Sequence, residues 1–170
     1  MGSTNAYRIL GIDPGLHVTG YAAVDFGGLA ASGVERGEPR IIEAGTIRTD
    51  ARGAIAARIA QIYSDLVELI AELKPDMVAI EQLYAHYRHP RTAILMAHAR
   101  GMVLLAGEQA GVAVRSLSAT SVKKALTGNG HASKLQVQRA VQAVCKLKAL
   151  PQPPDVADAL AIALCASRRR

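Results

Sequence analysis

Cysteine is scarce in this chain: of 170 residues only Cys145 and Cys165 are thiols, each alone in a helix-like segment. That excludes a disulfide framework and leaves no cysteine cluster for zinc, so buried thiols in a reducing cytoplasm are expected. Long apolar runs are missing too. No stretch approaches the ~18 consecutive apolar residues of a membrane span, and the N-terminus lacks the basic-then-apolar layout of a secretory signal. There is no repeat, low-complexity segment or convincing linker, although half the residues are hydrophobic. A single globular domain over residues 1–170 is therefore expected, with a polar leader at 1–6 and a cationic tail at 168–170. The most informative shortage is of acids in the middle of the chain. From Gln82 to Lys148 there is one, Glu108, against ten Lys and Arg and four of the five histidines. A solvated face scatters both signs of charge, whereas a one-sided stretch like this suits a polyanion.

The acids are concentrated elsewhere, in apolar surroundings. Ile9-Leu10-Gly11-Ile12-Asp13 and Met77-Val78-Ala79-Ile80-Glu81 are short apolar runs that each end on a carboxylate. Asp155 and Asp158 open a third apolar segment after Pro153-Pro154, and Asp158 is the only charged residue from Val156 to Ala166. Taken alone, Asp13 could be a turn-former before Pro14-Gly15, Glu81 a solvated strand end and Asp155 a helix cap. Asp158 resists such a reading, because a helix apolar on every side is buried and a buried aspartate needs a partner.

Coarse periodicity suggests where these acids meet. Tyr7–Asp13, Val18–Phe26 and Ile41–Thr49 read as three strands of an antiparallel meander. Ile55, Ile59, Ile62, Leu66, Ile70 and Leu73 make one helical stripe, which feeds a Met77–Glu81 strand. A helix from about Arg91 to Ala110, a strand at Val112–Leu117 and a short helix at Ser118–Leu126 follow. Ser133 with Gln136 makes a capping box for the next helix, and the last begins near Asp155. This order predicts an α/β fold with one five-stranded mixed sheet flanked by helices. Strands one and four would then set Asp13 and Glu81 side by side at the end of the sheet. The i,i+3 pair Asp155 and Asp158 can aim at the same point. Four converging carboxylates repel one another unless cations hold them ionised. Oxygen ligands without cysteine favour Mg²⁺ or Mn²⁺, and two such ions ~4 Å apart serve phosphodiester hydrolysis.

Several motifs, in order, carry a family resemblance: Gly11-Ile12-Asp13-Pro14-Gly15 with Thr19-Gly20-Tyr21, Ala79-Ile80-Glu81-Gln82, and Ala99-Arg100-Gly101. Val122-Lys123-Lys124 with Thr127-Gly128-Asn129-Gly130, and Asp155-Val156-Ala157-Asp158-Ala159-Leu160-Ala161, complete the set. Over residues 8–167 the chain resembles the RuvC-type Holliday-junction resolvases. The resemblance implies a ribonuclease-H-like fold and a homodimer that cuts two opposed strands of a four-way DNA junction. It implies that Asp13, Glu81, Asp155 and Asp158 are the catalytic, metal-binding acids, serving two Mg²⁺ or Mn²⁺ ions per site. It also implies a branch-migration complex, RuvA and RuvB, as partner.

The segment after Glu81 interleaves aromatics and cations from Gln82 to Arg91. Stacking on an exposed base and phosphate contact are the expectations for Tyr84, Tyr87, Arg88 and Arg91. By resemblance Tyr84 falls where the family has an aromatic that intrudes at the junction centre, with Tyr87 as the other candidate; packing at the base of a loop is the plain reading of both. Lys123 and Lys134 match family lysines that contact phosphate. Lys124 is a further candidate or a solvent-facing helix residue. Gly15 either brings a backbone N–H near phosphate or merely makes a turn. The apolar Arg91–Ala110 helix has more than one apolar face, and one could meet a symmetry mate. Rival readings are a related nuclease acting on RNA or on other branched DNA, a non-catalytic junction-binding protein, and an actin-like ATP-binding fold, which this length disfavours.

Overall fold

The computed structural model describes residues 6–27, 38–83 and 90–168. Tyr84, Tyr87 and Arg88 lie outside the described residues, as do positions 1–5 and 169–170. Three strands open the fold: β1 (Tyr7–Asp13), β2 (Val18–Phe26) and β3 (Arg40–Arg48). They are followed by α1 (Ile55–Leu73), β4 (Met77–Glu81), α2 (Pro90–Gln109) and β5 (Val114–Leu117). Helices α3 (Ala119–Thr127), α4 (Lys134–Val144) and α5 (Pro154–Arg168) complete the order. The strands form one mixed sheet in the order β3-β2-β1-β4-β5, with β1 antiparallel to β2 and parallel to β4. This is the predicted five-stranded architecture. The edge strand β5 is shorter than expected: its paired register starts at Val114, and Ala113 contributes only a carbonyl that accepts the Val78 N–H (3.0 Å).

Side-chain alternation divides the sheet into two cores. Leu10, Ile12, Val78 and Ile80 face α1 and α2, packing with Ile62, Leu66, Ala99 and Val103. Ile9, Val24, Met77 and Ala79 face the other way, onto Val122, Val141 and the apolar length of α5. Position 13 continues the row 9, 11, 13, and position 81 the row 77, 79, 81. Both acids are thereby committed to the α5 side.

Two glycines set how close that helix comes. A methyl group on Gly11 would lie 2.2 Å from the Ala159 carbonyl oxygen, and one on Gly20 would lie 2.2 Å from that of Asp155. Helix α5 therefore rests on β1 and β2 backbone to backbone, as glycine within a strand allows. The capping box of α4 is formed: Gln136 N–H donates to Ser133 Oγ (3.3 Å) and Ser133 N–H to Gln136 Oε1 (2.7 Å). Among the described residues no helix is long and apolar enough to cross a membrane.

Candidate active site

The site is built at the carboxyl ends of β1 and β4. Ile12 stands opposite Ile80 in the parallel ladder, so Asp13 and Glu81 follow at the same edge of the sheet. The chain leaves β1 through Pro14-Gly15, and a polar network fixes that turn. The buried Thr19 hydroxyl donates to the Gly15 carbonyl (2.8 Å) and accepts the Gly15 N–H (3.4 Å). The Thr49 hydroxyl donates to the Leu16 carbonyl (2.6 Å), and Arg58 donates to both Thr49 Oγ1 (2.9 Å) and Leu16 O (3.1 Å). A methyl group on Gly15 would lie 2.3 Å from the Val18 carbonyl oxygen, so the tightness of the turn requires glycine there.

Asp155 sits in the first turn of α5, where the helix dipole favours a carboxylate, and Asp158 is one turn further along. The electrostatics tie all four acids together. Burial first, then the charges of Asp158, Glu81 and Asp155, push the Asp13 carboxyl from its ordinary 3.8 up to about 7. Burial and Asp158 raise Glu81 as well. Lysines act in the opposite sense: Lys134 holds both carboxyls down, and Lys123 holds down Glu81. Lys134, the first residue of α4, places Nζ 2.8 Å from Asp158 Oδ2. Its own proton is held more tightly as a result, chiefly through that hydrogen bond.

Two open clefts meet at these acids. One, of about 260 Å³, is lined by Asp13, Glu81, Asp158, Lys123 and Lys134. The other, of about 190 Å³, lies between Asp13, Glu81, Gln82, Met96 and Arg100. The donor set fits hard divalent cations: every candidate ligand is a carboxylate oxygen, and burial beside like charge disfavours the ionised form of Asp13 and Glu81, which a cation would offset. The described acids influence one another without forming a preassembled metal-binding group of three or more. Lys134 takes up Asp158.

The other sequence-predicted residues fall in several places. Lys123 and Lys134 reach the site. Lys124 is exposed on α3 and lines neither cleft. Arg91 is exposed in the first turn of α2, and Gly15 lies in the turn beside Asp13. Sequence reasoning assigned no role to Gly11, Gly20, Thr19 or Arg100. A glycine inside an otherwise bulky strand was the available signal for Gly11.

The family model described as "Crossover junction endodeoxyribonuclease RuvC" matches residues 9–166. A protein of that name from Rhodopirellula baltica is 46% identical over 163 residues, which is 95% of this chain and 86% of the relative. A RuvC structure from Thermus thermophilus is 33% identical, with a TM-score of 0.83, covering 94% of this chain and 93% of that one. The Thermus thermophilus RuvC in complex with Holliday junction substrate is equally similar, at 33% identity and TM-score 0.83, over 95% of this chain and 93% of that one.

Proposed function

From the premise that the chain belongs to the crossover junction endodeoxyribonuclease RuvC family, we propose that Asp13, Glu81, Asp155 and Asp158 form its catalytic, metal-binding centre. The protein is a metal-dependent endonuclease that resolves Holliday junctions in recombination and repair. The observation that supports the site assignment is that Asp13 of β1, Glu81 of β4 and Asp158 of α5 line one cleft, with the charge of Asp155 also acting on Asp13. A structural aspartate would be expected to have a cationic or hydrogen-bonding partner that lowers its pKa.

Hydrolysis forms a bond from a water oxygen to phosphorus and breaks the bond to the 3′-oxygen, leaving a 5′-phosphate and a 3′-hydroxyl. Two Mg²⁺ or Mn²⁺ ions held by the four carboxylates would activate that water and offset charge on the leaving oxygen. The chain's own residues do the rest. Asp13 and Glu81, at the ends of paired strands, are fixed relative to each other by the ladder. Lys134 and Lys123 bring positive charge to the cleft wall, where negative charge builds on the phosphorane oxygens. Exposed Arg91 and Lys124 offer cations to the DNA backbone. Tyr84, Tyr87 and Arg88 are assigned to base stacking and phosphate contact from their chemistry alone, and the Gly15 turn beside Asp13 is assigned to the same DNA contact. A symmetric pair of cuts calls for a homodimer, and exposed Ile94, Leu104 and Leu105 on α2 supply an apolar face for it. The enzyme acts in the cytoplasm, with RuvA and RuvB as the expected partners.

The test is a synthetic mobile four-way junction incubated with Mg²⁺, Mn²⁺ or chelator, beside an Asp13→Asn variant. Paired symmetric nicks that require metal and Asp13, with junction binding retained by the variant, are expected. Binding without cleavage under every metal would favour a non-catalytic binder. Equal cutting of linear DNA or RNA would keep the chemistry and overturn the specificity.

A further inference from the structure

Arg100 is a cation beside the acids for which the mechanism above has no use. It stands on α2, on the face of the sheet opposite α5, and is half-buried at the wall of the smaller cleft with Asp13, Glu81 and Gln82. The charges that shift the Glu81 carboxyl are those of Asp158, Lys123 and Lys134. The Arg100 contacts are to the sheet. Nε donates to the backbone carbonyl of Glu81 (3.3 Å), and Nη2 donates to Ser116 Oγ on β5 (2.6 Å).

The location explains the need. The β4–β5 ladder ends at the pair Glu81–Leu117, with Gln82 N–H donating to Leu117 O (2.7 Å). Val78 and Gln82 turn their peptide groups toward β5, so by alternation the Glu81 carbonyl faces β1, whose chain runs on into Pro14 and offers no N–H there. A carbonyl at the end of a ladder needs a donor from elsewhere. Arg100 is that donor, and Ser116 anchors its other arm. The fork joins β4 to β5 one peptide from the Glu81 Cα. We propose that Arg100 is a positioning residue that holds the end of β4, and with it the Glu81 carboxylate, at the place where metal and Asp13 meet it. The inference rests on the assignment of Glu81 to the metal site.

Groups that orient metal ligands typically contribute about 10–100-fold in metal affinity or activity when removed. Arg100→Gln is therefore expected to bind the junction in chelator as wild type does, yet to cleave at least ~10-fold more slowly at saturating protein. Its half-saturating Mn²⁺ should rise several-fold, and calorimetry of Mn²⁺ binding to the protein without DNA should weaken in parallel. Arg100→Lys keeps one donor and should recover part of both losses. If Arg100→Gln does not fold, Ser116→Ala decides: it leaves the cation and removes its anchor, and must raise the Mn²⁺ requirement at unchanged junction affinity. Wild-type Mn²⁺ dependence in the folded variants overturns the proposal, as does loss of junction binding in chelator, which would make Arg100 a DNA contact. Glu81→Gln, run alongside, separates the two failures: if it cuts normally, the site assignment itself is wrong.

Discussion

Replacing Asp13 by Asn should stabilise the metal-free protein while abolishing its chemistry. The Asp13 carboxyl titrates at about 7 in the fold against an ordinary 3.8, because it is buried among Asp158, Glu81 and Asp155. Between those two values the folded state holds a proton that the unfolded chain has released. The folded state is thus favoured at low pH, and stability falls as pH rises from about 4 to about 7, remaining low above. At 1.36 kcal/mol per unit the full shift corresponds to about 4 kcal/mol as an upper bound; relaxation and water penetration bring the expected gain from Asn nearer ~2 kcal/mol. For a chain of this size that is a rise in Tm of roughly 4–8 °C. The assay is thermal unfolding by circular dichroism in chelator, at pH 4.5 and pH 8, for wild type and variant. The advantage of Asn should be present at pH 8 and nearly absent at pH 4.5. Adding Mn²⁺ at pH 8 should raise wild type more than the variant. An Asn variant no more stable than wild type at pH 8, or equally advantaged at both pH values, would refute the account of Asp13 as an uncompensated buried charge.

Asp25 should behave in the opposite way. It is buried and bonded to Arg8 (2.6 and 3.0 Å) and Arg40 (3.1 Å), which hold its carboxyl below the ordinary value. Its contribution is fully present above about pH 4 and is lost as pH falls through the lowered value. Asp25→Asn should cost about 2 kcal/mol at neutral pH, and its stability should decline less steeply than that of wild type in acid, read by urea unfolding. Gly11→Ala should disrupt the seating of α5, since its methyl would overlap the Ala159 carbonyl. A loss of about 1–3 kcal/mol with disproportionate loss of cleavage is expected, while Ala22→Gly on the neighbouring strand should cost stability alone. Lys134→Ala removes a charge that holds Asp13 down and frees Asp158. The Asp13 carboxyl resonance, followed by NMR in chelator, should then titrate at a higher pH than in wild type.

Some of this was legible in the sequence because the relevant physics is local. A strand period of two, an acid at the end of each apolar run and the i,i+3 spacing of Asp155 and Asp158 place four carboxylates on one side of one sheet. The seating of α5 was less legible, because Gly11 and Gly20 matter only through what lies against them, and no periodicity encodes a neighbour. Helix α2 shows the same limit. Its apolar residues surround the axis, so sequence alone does not distinguish buried Ala99, Val103 and Ala106 from exposed Ile94, Leu104 and Leu105. Arg100 was unreadable for that reason: what its guanidinium meets, the Glu81 carbonyl and Ser116, is set only by how α2 packs on β4 and β5. The pairing of Lys134 with Asp158 joins two helix starts far apart in the chain, and only the packed fold brings them together.

The backbone-to-backbone seat of α5 also bears on how this protein tolerates change. A helix held off a sheet by side chains shifts whenever one of them is exchanged for a larger or smaller neighbour. Here the spacing between the acids of α5 and those of the strands is set by peptide groups that no substitution can resize, provided positions 11 and 20 stay glycine. The opposite core, beneath α1 and α2, is spaced mainly by side chains and can be refilled with different volumes wherever the Arg100 contacts are left in place. Random libraries confined to Leu10, Ile62, Leu66, Val103 and their neighbours should yield many folded, cutting variants. The same diversity applied along Ala159 and Ala163 should yield very few.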